Sequence, residues 1–254
     1  MVKLSKRLLT IANIVPEGAR LADIGSDHAL LPTYLVQQGR VPFAVAGEVN
    51  KGPKEAAERQ VRDAGLTGRI EVRLGNGLAV LQPGEIDAVS IAGMGGALIA
   101  SILDAGQEKL QSVQTLILQP NVGEDLVRRW LRQHGWHLAA ETILEEDGKI
   151  YEVLTAVRME AEHRSDVPLY AERTVEETTL RLTEETLLRM GPYLIREPKD
   201  AWFRKWEYEL DKLDMIRKQL ERSTSESADD KRAELEVEKN RIREVLTCLR
   251  KDRP

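Results

Sequence analysis

The chain has 254 residues, 42% of them hydrophobic, and a formal net charge of −5. That balance excludes a disordered or strongly basic protein, and no apolar run is long enough to cross a bilayer. The single cysteine, Cys248, excludes an internal disulfide framework and points to a reducing compartment. Lys3, Lys6 and Arg7 stand near the start without the apolar stretch of a secretory leader, so the cytoplasm is expected. Neither the first 158 residues nor the remainder is basic overall, so any nucleic-acid contact must come from local patches.

The stretch Leu21-Ala-Asp-Ile-Gly-Ser-Asp-His28 reads as a buried strand, a glycine turn and the start of a helix over Ala29–Gln38. Phe43–Glu48 is a second strand that ends in a carboxylate. Arg69–Leu74, Ile86–Ile91 and Thr115–Leu118 follow as strands, with helical patterns at Lys54–Ala64, Gly96–Ala105 and Val122–Gln133 between and after them. Strands separated by helices of this length imply right-handed crossovers and a parallel sheet. The ending differs: Trp136–Leu144 and Ile150–Val157 flank Glu146-Asp-Gly-Lys149, whose Asp-Gly pair marks a hairpin. A parallel five-strand core closed by a hairpin is the order of a class I, Rossmann-like methyltransferase sheet and not of a dinucleotide dehydrogenase.

After Arg158 glycine becomes rare and charge rises. Tyr170–Met190 reads as a helix stopped by Gly191-Pro192. A second helix follows Pro198, carrying Trp202, Trp206, Leu210, Leu213, Ile216 and Leu220. A third runs from about Asp229, after the polar linker Arg222–Ala228. Apolar steps of three and four predict an antiparallel coiled coil whose aromatics pack between helices. The expected division is a methyltransferase domain over 1–158 and a helical domain over 159–254.

In a doubly wound sheet, ligands bind beyond the carboxyl ends of the strands. Those ends supply Asp23, Gly25 and Asp27, then Glu48 and Val49, then Gly75-Asn-Gly77, then Gly93-Met-Gly-Gly96, then Gln119-Pro-Asn121. A pyrophosphate needs several glycines at a helix start, whereas here Gly25 stands alone beside Asp27 and His28. An acidic turn repels phosphate and suits a cationic, phosphate-free cofactor such as S-adenosylmethionine. Glu48 can accept from both ribose hydroxyls, and Asn76 can hydrogen-bond an adenine edge. Asp23, Gly25, Asp27, Glu48, Val49, Gly75, Asn76, Gly77, Gly93 and Met94 are the candidate cofactor residues. The Gln119-Pro-Asn121 amides suit the Watson–Crick edge of a base.

The segments Ser5-Lys-Arg7, Ala22–His28, Gly47-Glu-Val-Asn50, Leu74–Leu78, Ile91-Ala-Gly-Met-Gly-Gly96 and Leu118-Gln-Pro-Asn121 resemble the bacterial TrmK family of tRNA (adenine-22-N1)-methyltransferases, and the resemblance covers the whole chain. In that family Asp often stands where this chain has Asn76; an amide can still both accept from and donate to adenine. The resemblance implies that Met94, Pro120 and Asn121 frame the target base, with Asp27 and His28 near the reacting atoms. It further implies tRNA backbone contacts from Lys6, Arg7 and the helical extension, in a cytoplasmic monomer without metal or membrane attachment. Two other readings stand beside it: a small-molecule methyltransferase, and a cofactor-binding scaffold that recruits partners through its coiled coil.

Overall fold

The computed structural model describes residues 2–158, 169–175, 178–221 and 226–251. They fall into two compact units, Met1–Val167 and Pro168–Pro254.

The first unit opens with α1 (Lys6–Ile14), which the sequence reading does not anticipate. It is short and has no acidic residue in its first turn. The acid comes from far along the chain: Glu146 accepts from the backbone N–H groups of Lys6 and Arg7. Ile11 and Ala12 then bury the inner face of the helix.

A seven-stranded sheet follows, in the order β3-β2-β1-β4-β5-β7-β6. Its parallel members are β1 (Leu21–Ile24), β2 (Ala44–Glu48), β3 (Ile70–Leu74), β4 (Ala88–Gly95) and β5 (Thr115–Val122). The crossover helices are α2 (Leu30–Gln37), α3 (Lys51–Asp63) and α4 (Gly96–Ala105), with α5 (Glu124–Gln133) leading to β6 (Trp136–Glu146) and β7 (Lys149–Arg158). β7 runs antiparallel to both β5 and β6. Asp147 and Gly148 both take positive φ at the hairpin tip, as an Asp-Gly turn should.

β1 is an interior strand with every residue buried, paired to β2 on one side and β4 on the other. The chain winds outward from β1 to β3 and then crosses to β4, so the crevice between the ends of β1 and β4 is the topological switch point.

Several expected boundaries move. β4 and β5 run several residues past Ile91 and Leu118, taking up segments read as loops. The β4–β5 register shifts between Ala92 and Met94, so Gly93 forms a bulge that a sequence pattern does not reveal. Because β5 reaches Val122, α5 starts at Glu124 and not at Val122.

Arg128 of α5 is fully buried and pairs with Glu141 of β6 and Glu152 of β7, at 2.6 and 2.5 Å. This triad fixes the antiparallel hairpin to the last crossover helix.

In the second unit, residues 170–190 depart from the single helix expected of them. β8 (Arg173–Thr174) pairs with β9 (Arg181–Leu182), and α6 covers only Glu184–Met190. The cause is local competition from hydroxyl groups. Thr178 donates to the Val175 carbonyl and accepts from the Leu180 N–H, and Thr183 caps α6 by accepting from Thr186. The stop at Gly191-Pro192 falls where the sequence places it.

α7 (Asp200–Leu220) and α8 (Glu226–Lys251) pack antiparallel, with Arg217 on Glu236, Lys239 on Asp214 and Arg250 on Glu207. The expected linker overlaps the start of α8, and its residues 222–225 lie outside the described residues. Trp202 and Trp206 are buried, and the Trp202 indole donates to the Met190 carbonyl at 2.9 Å. These rings serve helix packing.

Replacing Arg128 by Ala would leave two carboxylates buried without their cation. The expected loss is about 3–5 kcal/mol, measured by urea unfolding. A loss below about 1 kcal/mol would mean that the triad is not a buried anchor.

Candidate active site

Five strand ends line one edge of the sheet on either side of the switch point, and the end of β1 holds a buried acid. Asp23 lies directly beside Ser90 in the β1–β4 register. Its Oδ1 accepts from the Ser90 hydroxyl at 2.5 Å and its Oδ2 from the Ser26 hydroxyl at 2.6 Å. Burial pushes this carboxyl above its ordinary value, against the two serine hydrogen bonds and the nearby charge of Arg7.

Gly25 follows in the left-handed region at φ +69, and its N–H donates to the Gly47 carbonyl at 2.9 Å. A Cβ at Gly25 would stand 2.2 Å from Met94 Cε, so the methionine side chain rests on the bare turn. Asp27, His28 and Ala29 also take positive φ, an unusual run for residues with side chains. The run turns Asp27 and His28 outward as an exposed pair, with Nε2 of the histidine 3.6 Å from the aspartate.

Glu48 ends β2 and is only 6% exposed. The backbone N–H of Asp27 donates to its carboxylate, yet Oε1 is buried with no hydrogen-bond partner among the described residues. Burial and the neighbouring Asp23 both push its carboxyl up. A buried acceptor left open at a strand end has the chemistry to take hydroxyl donors from a ligand.

Beyond it Val49 and Leu74 are exposed, offering apolar surface beside the carboxylate. Asn76 and Gly77 line a cavity of about 440 Å³ together with Leu78, Leu98, Ser101 and Ile102. Gly75 packs against Val80, where a Cβ would meet the valine at 2.8 Å. Among the described residues no group of three or more His, Cys, Asp or Glu could hold a metal ion, and no helix is long and apolar enough to cross a membrane.

The opposite wall is a network of amides. Gln119 is fully buried on β5. Its Oε1 accepts from Arg7 at 2.6 Å and from the Gly93 N–H at 3.1 Å. Its Nε2 donates to the Pro120 carbonyl at 2.8 Å and to Asn121 Oδ1 at 3.1 Å. Exposed Asn121 donates to the Gly93 carbonyl at 2.8 Å. Lys6 is exposed and donates to the Glu145 carbonyl, while Arg7 turns inward over the Tyr151 ring.

The structure therefore gathers Asp23, Gly25, Glu48, Met94, Pro120 and Asn121 around one crevice. Sequence reasoning left out Ser26, Ser90 and Glu146, and set the Gln119 amide at the edge of the base, whereas it is buried and spent on Arg7, Gly93, Pro120 and Asn121. Ser26 carried a local signal, three residues beyond an acid in a turn. Ser90 and Glu146 carried none, because their roles depend on strand register and on a contact 140 residues away.

A family model described as tRNA (adenine(22)-N(1))-methyltransferase, TrmK, matches residues 21–245. The tRNA (adenine(22)-N(1))-methyltransferase of Bacillus subtilis (strain 168) is 43% identical, over 96% of this chain and 98% of that protein. The crystal structure of the B. subtilis M1A22 tRNA methyltransferase TrmK superposes with a TM-score of 0.84 at 41% identity, covering 97% of this chain and 100% of that one. A structure of Streptococcus pneumoniae Sp1610 in complex with S-adenosyl-L-methionine gives 0.79 at 38% identity, covering 96% and 100%.

Glu48→Gln should stabilise the ligand-free protein at neutral pH. A carboxyl whose folded pKa is raised costs stability while ionised, and the cost fades as pH falls from that raised value to the ordinary one. Melting curves should show the variant a few degrees higher at pH 7 and level with the parent under acid conditions. A variant less stable at neutral pH would contradict the burial argument.

Proposed function

The chain belongs to the TrmK family of tRNA (adenine(22)-N(1))-methyltransferases, and from that premise we infer how its residues move a methyl group from S-adenosylmethionine to N1 of adenosine 22 in tRNA. The observation that carries the assignment of roles is Glu48, a buried carboxylate with an open oxygen at the second strand end. That oxygen fits the hydroxyls of the cofactor ribose. Asn76 would hold the adenine edge, with Val49 and the Gly75 and Gly77 backbone beside the ring. Gly25 gives the Met94 side chain its seat on the turn, and Gly93 and Met94 complete the wall. Asp23 and Asp27 give the crevice a negative potential that favours a cation. When bound, S-adenosylmethionine supplies an electrophilic methyl group.

The remaining work is alignment. Adenine N1 is a neutral nucleophile at physiological pH, so no residue must first remove a proton. Pro120 and Met94 frame the flat base, and Asn121 Oδ1 keeps one lone pair for the exocyclic amine. Methylation leaves the base cationic, and the acceptor on that amine stabilises the developing charge. Holding N1 on the line of transfer is the main rate term. Asp27 and His28 sit at the exposed edge of the turn, next to that line.

An internal adenosine is stacked, so it must turn out of the tRNA to enter the crevice. Lys6 and the exposed cations of the helical unit contact the phosphate backbone, and Arg7 keeps its remaining N–H groups for the same strand. The protein acts as a cytoplasmic monomer and uses no metal ion.

Two measurements test these roles. Labelled methyl should pass to a tRNA transcript with adenosine at position 22 and not to one with guanosine there; label on both, or on neither, would contradict the site assignment. Glu48→Ala should weaken S-adenosylmethionine binding roughly 10- to 100-fold by calorimetry, the worth of hydrogen bonds to a charged group. Unchanged affinity would remove Glu48 from the cofactor site.

A further inference from the structure

We propose that Gln119, anchored by Arg7, is a positioning residue that fixes which way round Asn121 presents its amide, and thereby selects a base carrying an amine next to the methylated nitrogen. The proposal rests on the reading of Asn121 as the residue that meets the target base. It concerns two side chains that need not touch cofactor or base.

A free amide can turn over and exchange its oxygen for its nitrogen, at little cost in shape. An acceptor that must recognise an amine cannot be left that freedom. Here each outer partner of the network has only one function. Arg7 can only donate, and so can the Gly93 N–H; both reach Gln119 Oε1. The Pro120 carbonyl can only accept, and it takes Gln119 Nε2. Gln119 is therefore held in one sense, inside a site with no solvent exposure to offer substitutes.

Its second N–H then meets Asn121 Oδ1, while the Gly93 carbonyl accepts from Asn121 Nδ2. Reversing Asn121 would set nitrogen against nitrogen at Gln119 and oxygen against oxygen at Gly93. The bulge at Gly93, with φ +78, makes this possible. It frees one N–H and one carbonyl from the strand ladder and gives them to the two side-chain amides.

Arg7 is itself placed from a distance. Glu146 at the tip of the hairpin accepts from the N–H groups of Lys6 and Arg7 and so holds the first turn of α1. Against the desolvation that would raise it, those donors keep the Glu146 carboxyl below its ordinary value, so it stays ionised. The Tyr151 ring lies 5.5 Å beneath the guanidinium. The hairpin and α1 thus aim a fixed donor at Gln119.

The consequence is a specificity that ordinary loss of activity does not reveal. The test compares two tRNAs, one with adenosine at position 22 and one with unsubstituted purine there. Purine keeps N1 and lacks the amine, which also feeds electron density to N1, so a fixed intrinsic preference for adenosine underlies the ratio in every variant. The parent protein should prefer adenosine by about 10-fold or more in kcat/KM, the worth of one hydrogen bond at a desolvated site.

Gln119→Glu cannot donate to Asn121, and Gln119→Met can neither donate nor accept. Both should lower the ratio about 10-fold toward its intrinsic value, and if one variant fails to fold the other carries the test. Arg7→Met should lower the ratio and Arg7→Lys, which keeps a donor, should restore part of it. Calorimetry should show that cofactor affinity does not fall in any of them.

Retention of the parent's ratio in the Gln119 variants, or in Arg7→Met, would overturn the proposal even if rates dropped. A parent protein that methylates adenosine and purine equally would overturn it too. Failure of the underlying functional reading looks different: the parent protein would then methylate neither tRNA.

Discussion

Burying a carboxylate at the end of a central strand costs far more than burying an amide or hydroxyl, and this chain does so twice, at Asp23 and Glu48. The rest of the crevice follows from how that cost is met. Asp23 is met internally, by serines from its own turn and from the adjoining strand. Glu48 is met only in part, by the Asp27 N–H. The fold therefore keeps one closed acid and one unfinished acceptor side by side. The first is complete within the protein, and the second has the chemistry to accept from a ligand's hydroxyl groups.

The other wall obeys the opposite economy, since every amide in it is satisfied. Gln119, Asn121 and the bulged Gly93 exchange hydrogen bonds until only the outward faces of Asn121 are left open. Such a network needs a donor that does not move, and Arg7 is held as one by a helix whose first turn rests on the hairpin. The antiparallel hairpin is in turn held to α5 by the buried Arg128 triad. A feature that looks like a mere end to the sheet thus supports the amide wall at the end of β5.

Much of this was legible in the sequence because it is local. The alternation of strands and helices, the Asp-Gly hairpin and the acids at the strand ends each lie within a few residues of one another. The first five strands and the antiparallel ending follow directly. What could not be read was non-local or depended on a competition. α1 is stabilised by an acid 140 residues away. β4 and β5 continue through glycine and proline because they pair with each other, a matter of register. The segment before α6 has helical composition, but threonine hydroxyls divert its backbone. Likewise Gln119-Pro-Asn121 was visible as a polar motif, while the inward role of its first amide appears only once Arg7 is in place.

The unfinished acceptor at Glu48 is the place proposed for the cofactor ribose, and that placement decides which wall of the crevice meets the base. A crystal structure of this protein with S-adenosylhomocysteine, the demethylated cofactor, tests the placement. It should show the ribose hydroxyls on the Glu48 carboxylate, the adenine beside Asn76, and Asn121 left facing open space. Ribose bound elsewhere, with Glu48 Oε1 still unpartnered or Asn121 covered by the cofactor, would contradict it.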